Sequence, residues 1–260
     1  MAQQTRWARG EFCWYELGTT DVDAAKSFYG SLFGWTTMDV PMGPMGIYTL
    51  LKHDGQDLAG LYKLEGPQFA GVPPHWMAYV ATESVDQDTA KAKSLGGNAF
   101  CEPMDIPNVG RMSVIQDPQG ATISLFQAGQ HPGTGKWNGA PNTFCWSELY
   151  AKDTAAAVRF YTSLFGWGAK ADTSAKPYTE WQVGGRSVGG MIAIDPNWGP
   201  VPSHWTSYVA VTDCDAVFKK AQGLGAKALV PPTTIGEVGR FAIFHDPQGA
   251  AIAIIKLEKR

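Results

Sequence analysis

The chain has 260 residues, enough for two ordinary domains, and its 44% hydrophobic against 17% charged residues excludes a disordered or collagen-like protein. Lys plus Arg number 21 against 24 Asp plus Glu, a formal net charge of −3 with no run of like charge, which argues against a nucleic-acid partner. The N-terminal stretch has no apolar signal-peptide core and no eighteen uncharged apolar residues run together, so a soluble cytoplasmic protein with no membrane partner is expected.

Residues 12–17 alternate around β-favouring aromatics and predict a strand. Asp21 is placed to cap the helix that follows, with Ala25, Phe28 and Leu32 on one face and Gly34 at its end. Short strand-like runs continue to about residue 64. A strand from His75 to Ala81 precedes a second helix, which Ser84 and Gln87 open as a capping box, Val85, Ala92 and Leu95 stripe, and Gly96 stops. Strand-like segments 98–102, 111–116 and 121–127 complete this half. The second half repeats the order, with Asp153 and Asp213 as caps and Cys214, Val217, Ala221 and Leu224 as a helical stripe. The pattern is four βαβββ units.

The chain also repeats itself literally. Phe12-Cys13-Trp14-Tyr15-Glu16-Leu17 returns as Phe144-Cys145-Trp146-Ser147-Glu148-Leu149, displaced by 132 residues. Ser31-Leu32-Phe33-Gly34-Trp35 returns at the same displacement as Ser163-Leu164-Phe165-Gly166-Trp167. His75-Trp76 returns as His204-Trp205, and Asp117-Pro118-Gln119-Gly120 as Asp246-Pro247-Gln248-Gly249, both displaced by 129. Two homologous domains follow, 1–128 and 142–260, joined by a linker at 129–141 where Gln130 to Lys136 is rich in Gly and Pro. Four scattered cysteines, Cys13, Cys101, Cys145 and Cys214, read as reduced thiols acting as small hydrophobes.

This arrangement resembles the vicinal oxygen chelate superfamily: glyoxalase I, extradiol dioxygenases, and fosfomycin and bleomycin resistance proteins. The resemblance is carried by Asp21 with Phe28-Tyr29 and Leu32-Phe33-Gly34, by His75 with Gly96-Gly97, and by Gly110-Arg111 with Asp117-Pro118-Gln119-Gly120. It covers nearly the whole chain, and a closer likeness is to tandem two-domain members labelled glyoxalase-like or hydroxylase. It implies an α+β fold in which four βαβββ units form two tandem glyoxalase-like domains, with curled mixed sheets around a cavity. Fold alone does not name the reaction.

The resemblance further implies a divalent metal (Zn, Ni, Fe or Mn) held by His, Gln or Glu at four inward positions per domain. Carried over one at a time, those positions hold Trp14 and Trp146, then Gly60 and Gly190, then His75 and His204, then Ser124 and Ala253. Each half keeps one ligand of four, whereas a tight open catalytic site needs at least three. The full site is therefore not expected, and no cofactor is assigned. A shifted site from Glu16, His75 and a third ligand stays open, because Glu16 lies two residues beyond the vacant position on the same strand face, roughly 6.6 Å along.

If Trp14 faces the cavity, alternation sends Glu16 and Gly18 inward with it, and Cys13 and Tyr15 outward. His75, Met77 and Tyr79, and then Thr122, Ser124 and Phe126, join from other strands. The second cavity gathers Trp146, Glu148, Tyr150, His204, Thr206, Tyr208, Ala251, Ala253 and Ile255. In each, a carboxylate and an imidazole (Glu16 with His75, Glu148 with His204) form the catalytic candidates. Trp14, Met77, Tyr79, Ser124, Trp146, Tyr150 and Tyr208 form the ligand-binding ones. A carboxylate desolvated among aromatics is a possible proton acceptor, and indole and phenol walls suit a flat organic ligand. The plainer reading is that each Glu braces backbone or Arg111 and each His is a satisfied rim residue. Arg111 and Arg240 read either as anion clamps or as braces, and Gly60 and Gly189-Gly190 as close strand packing.

Three functions follow: a glyoxalase-like lyase (related to lactoylglutathione lyase) acting on a small carbonyl or aromatic compound, a metal-free drug- or metabolite-binding protein of the bleomycin-resistance type, and an Fe(II) hydroxylase or dioxygenase. The partner is a small molecule, and the chain is expected as a monomer or weak homodimer.

Overall fold

The structure is a computed structural model that describes residues 7–43, 46–135, 139–172 and 177–258. Of the expected linker, residues 136–138 lie outside the described set. The first half contains β1 (Phe12–Thr19), α1 (Val22–Phe33), β2 (Thr36–Pro41), β3 (Ile47–His53), β4 (Gln56–Lys63), β5 (His75–Ala81), α2 (Val85–Ser94), β6 (Asn98–Ile106), β7 (Gly110–Gln116) and β8 (Thr122–Ala128). The second half contains β9 (Phe144–Ala151), α3 (Thr154–Phe165), β10 (Gly168–Asp172), β11 (Tyr178–Val183), β12 (Arg186–Ala193), β13 (His204–Ala210), α4 (Cys214–Gly223), β14 (Lys227–Ile235), β15 (Gly239–His245) and β16 (Ala251–Leu257). This is βαβββ four times over.

The helices start where the sequence places them. Asp21, Asp153 and Asp213 each accept a hydrogen bond from the backbone N–H three residues on, and Ser84 does the same for Gln87. Gly34 and Gly166 end α1 and α3 with φ of 74° and 73°, the left-handed cap that glycine adopts without a Cβ penalty. Two details depart from the sequence reading. The Ser84 box is one-sided, because the Ser84 N–H donates to Thr82 Oγ1. On α4 the buried stripe is Cys214, Phe218 and Ala221, while Leu224 is 37% exposed beyond the last turn.

The strands run in two eight-stranded mixed sheets, β2-β3-β4-β1-β5-β8-β7-β6 and β10-β11-β12-β9-β13-β16-β15-β14. Neither closes on itself. β1 pairs with β4 and β9 with β12 in parallel, in registers that set Glu16 beside Gly60 and Glu148 beside Gly190.

By packing, the chain forms two compact units, one of residues 1–14, 78–133 and 146–206, the other of 15–77, 134–145 and 207–260. In the first, Tyr161 of α3 is fully buried among Trp167, Trp181 and Trp205. Its hydroxyl accepts from Trp205 Nε1 at 3.0 Å and donates to Asp117 Oδ2 at 3.0 Å. In the second, Tyr29 of α1 accepts from Trp76 Nε1 at 2.8 Å and donates to Asp246 Oδ2 at 2.8 Å. The aspartates of the two Asp-Pro-Gln-Gly turns are therefore buried braces as well as turn formers. Each satisfies backbone N–H groups of its own hairpin with one oxygen and a helix tyrosine with the other.

Candidate functional site

Within residues 146–206, one face of β9 presents Trp146, Glu148 and Tyr150 in alternation, and β12 sets Gly190 beside Glu148. Tyr178, from β11, crosses over Gly190 so closely that a Cβ built there would lie 1.8 Å from the phenol oxygen. The hydroxyl donates to Glu148 Oε1 at 2.7 Å and accepts from Trp146 Nε1 at 2.9 Å. Indole, phenol and carboxylate thus form a directed chain ending on a side chain only 9% exposed. Burial and the Glu148 charge push the Tyr178 hydroxyl far above its ordinary range, so it stays protonated and donates.

Beyond Glu148, the Tyr150 ring lies flat on the His204 imidazole, with centroids 4.8 Å apart and planes 2° from parallel. Trp198, half exposed in the turn before β13, leans on Tyr150 at 6.2 Å. His204 Nδ1 lies 2.8 Å from the Pro202 carbonyl, which can only accept, so Nδ1 carries the proton and Nε2 of the neutral ring offers a lone pair. Burial pushes the His204 pKa down and favours that neutral form.

Residues 15–77 build a related but unequal group. Tyr48 of β3 donates to Glu16 Oε1 at 2.7 Å, and a Cβ at Gly60 would lie 1.7 Å from its hydroxyl. His75 Nδ1 bonds the Pro73 carbonyl at 2.9 Å. Here Gly18 stands at the position of Tyr150, and Tyr62 of β4 reaches over it: a Cβ at Gly18 would meet the Tyr62 hydroxyl at 3.0 Å and His75 Cε1 at 3.1 Å. Tyr62 rests on Phe69, ring centroids 5.6 Å apart.

The structure thus brings Trp146, Glu148, Tyr150 and His204 together in one unit, and in the other it sets Glu16 against Tyr48 and His75 beside Gly18, two residues along the same strand. Of the remaining candidates, Met77 is half-buried near the start of β5. Trp14 is 7% exposed and sits edge-on to His131 at 4.8 Å. Tyr79 and Ser124 are buried partners across β5 and β8, and the Ser124 hydroxyl has no hydrogen-bond partner among the described residues. Tyr208 is paired with Ala253 and packs near Phe241. Arg111 is engaged by Asp86 and Asp105 and Arg240 by Asp215, the bracing arrangement rather than an anion clamp. Tyr48, Tyr62 and Tyr178 are the residues that sequence reasoning missed. A signal existed, since Tyr48-Thr49 returns as Tyr178-Thr179.

The family's metal can be tested against these residues. At two of its four ligand positions per half the chain offers an indole or a glycine, and at the glycine positions the space a ligand side chain needs is filled by a tyrosine hydroxyl. Among the described residues no group of three or more His, Cys, Asp or Glu side chains comes together to hold an ion. The donor set does not fit the metal. Among the described residues, no helix is long and apolar enough to cross a membrane.

Comparison with known proteins agrees with this architecture. The profile of the Glyoxalase/Bleomycin resistance protein/Dioxygenase superfamily matches residues 12–125 and 143–254. The chain is 36% identical over 259 residues to "Putative glyoxylase CFP32" of Mycobacterium tuberculosis, covering 98% of each. It is 34% identical over 268 residues to the anthracycline biosynthesis protein DnrV of Streptomyces peucetius, covering 98% of this chain and 96% of that one. Its fold is similar to the Mn(II)-bound glyoxalase of Novosphingobium aromaticivorans (TM-score 0.62, 17% identity, 96% and 83% covered). It is also similar to the 2,3-dioxygenase LapB of Pseudomonas sp. KL28 (TM-score 0.61, 12% identity, 99% and 94% covered). By sequence profile and whole-length relatives alike, the chain belongs to the Glyoxalase/Bleomycin resistance protein/Dioxygenase superfamily.

Proposed function

We propose that this protein takes up a small, flat organic molecule bearing a carbonyl or hydroxyl group and carries out glyoxalase-like proton transfer on it without the superfamily's metal set. The observation that carries this reading is the tyrosine hydroxyl that stands over Gly60 and Gly190 and bonds the neighbouring glutamate. Where the family places a ligand to a cation, this chain places a neutral donor locked onto a carboxylate. One glutamate oxygen is committed to the phenol. The carboxylate is the acceptor for a proton drawn from carbon next to a carbonyl. Trp146 holds Tyr178 in direction, and the Nε2 lone pair of His204 suits a ligand hydroxyl.

The likeness to DnrV supports a fused aromatic ligand, since the name of that protein refers to anthracyclines. The exposed Trp198 beside Tyr150 supports stacking on such a ring. The same aromatic group favours the second reading, a binding protein of the bleomycin-resistance type with no turnover. The test uses chelator-dialysed protein titrated with 1,4-dihydroxyanthraquinone, followed by tryptophan quenching, with transition metals assayed on the same sample. Saturable quenching at well under one metal ion per chain is expected. Binding that appears only when a stoichiometric transition metal is restored, or no binding at all, overturns the proposal.

A further inference from the structure

The two glutamate sites descend from one ancestral unit, yet a single large residue has crossed between their strands. In register, Gly18 of β1 faces Tyr62 of β4, whereas Tyr150 of β9 faces Ile192 of β12. The aromatic residue comes from the outer strand in one site and from the strand bearing the glutamate in the other. The consequence for the histidine is large. Tyr150 lies flat on His204 and covers one face of the ring. Tyr62 instead brings only its hydroxyl over Gly18, within reach of the same point as His75 Cε1, and keeps its ring on Phe69.

We propose that the two sites have divided the work: the Glu16 site performs the proton transfer, with Tyr62 as the hydrogen-bond donor to the developing oxyanion, and the Glu148 site serves to stack ligand. This rests on the proton-transfer reading above and extends it to a residue and a site. In the Glu16 site the carboxylate is flanked by two phenols from one sheet face, Tyr48 and Tyr62, since Glu16 is paired with Gly60 and Gly18 with Tyr62. Tyr48 is committed to Glu16, while the Tyr62 hydroxyl bonds no described residue and is available to a ligand oxygen. Burial and the Glu16 charge raise its pKa, so it remains protonated as a donor at neutral pH.

The step balances within the site. The C–H bond next to the ligand carbonyl breaks, its proton passes to the Glu16 carboxylate, and the electron pair moves onto the carbonyl oxygen, which accepts a hydrogen bond from Tyr62. In D2O the protonated Glu16 carboxyl exchanges its proton for a deuteron from solvent, and return of that deuteron to carbon restores the ketone, so the ligand gains deuterium with no co-reactant other than water.

The assay is deuterium wash-in at the benzylic carbon of phenylacetone, followed by proton NMR, on the full chain. Glu16→Gln and Tyr62→Phe are each expected to slow exchange at least tenfold relative to wild type, and Glu16→Gln at least tenfold more than Glu148→Gln. Thermal midpoints of all three variants separate loss of folding from loss of chemistry, and Tyr62→Phe keeps the ring on Phe69. Exchange by wild type that falls with Glu148→Gln and persists in Glu16→Gln and Tyr62→Phe overturns this assignment while leaving proton transfer in place. Absence of exchange by wild type overturns the proton-transfer reading itself, and this inference with it.

Discussion

Replacing Gly190 by alanine is a sharp test of the tyrosine wedge, because simple propensity and the structure give opposite signs. Alanine for glycine in a strand interior ordinarily stabilises by roughly 0.5–1 kcal/mol, and Gly190 is not among the glycines of positive φ, so its backbone accepts alanine. The added Cβ, however, would stand 1.8 Å from the Tyr178 hydroxyl and 2.4 Å from Cζ, which the ring cannot accommodate without leaving. Its departure breaks a hydrogen bond to a buried carboxylate, worth about 1.5–3 kcal/mol, and a neutral one from the half-buried Trp146 indole, worth about 0.5–1.5 kcal/mol. Partial rehydration of the indole and the propensity gain offset part of this. The net expectation is a loss of about 2–3 kcal/mol, or roughly 4–12 °C in thermal midpoint. A double-mutant cycle with Tyr178→Ala, read by urea unfolding, isolates the cause. Gly190→Ala should cost little once the ring is gone, giving a coupling of about 2 kcal/mol or more. Tyr178→Phe should not relieve the clash, since Cζ remains. A Gly190→Ala variant as stable as wild type would refute the geometry on which the site rests.

Two further predictions concern buried titratable groups. Burial raises the pKa of Asp117 above its ordinary value, so the native state binds this proton more readily than the unfolded chain, and stability falls as pH rises from the ordinary carboxylate range to the raised value. Unfolding free energies of wild type and Asp117→Asn between pH 3.5 and 7 should therefore show the wild-type advantage shrinking with rising pH, and an advantage that grows would be contrary. The thiols are pushed up by burial, Cys145 to about 12 and Cys214 to about 11, with Cys13 higher still. At pH 8 these three should resist a disulfide reagent in native protein and react in urea, whereas prompt native labelling of any of them would contradict the packing.

Most of the fold was legible because its punctuation is local. Asp21, Ser84, Asp153 and Asp213 cap helices by bonding a backbone three residues on, and Gly34 and Gly166 end them through their own φ, so neither needs tertiary context. The repeat then confirmed each reading in a second copy. That Glu16 shares a strand face with Gly18, and Glu148 with Trp146 and Tyr150, was legible because strand alternation fixes faces. What escaped was whatever depends on how far a side chain reaches across neighbouring strands. Gly60 and Gly190 looked like simple close packing, but the neighbour that packs there is a phenol anchored two residues along the adjacent strand. Alternation gave Tyr150 its face correctly. It could not show that Tyr62, on another strand, supplies the comparable aromatic over Gly18.

The Asp-Pro-Gln-Gly turns show why motifs that looked like mere punctuation recur so faithfully. Asp117 lies in the first half of the sequence, but the tyrosine it holds, Tyr161, and the tryptophan behind that, Trp205, lie in the second. Asp246 reverses the arrangement, holding Tyr29 with Trp76 behind it. Neither half of the sequence contains both ends of its own brace. A buried carboxylate with no donor, or a buried phenol with no acceptor, costs about 1–3 kcal/mol or more, so loss of either end is felt at the other. Turn, helix tyrosine and strand tryptophan are therefore constrained together. On the glutamate faces, by contrast, the aromatic residue stands on β4 as Tyr62 in one copy and on β9 as Tyr150 in the other, while the tyrosine–aspartate–tryptophan brace is the same in both.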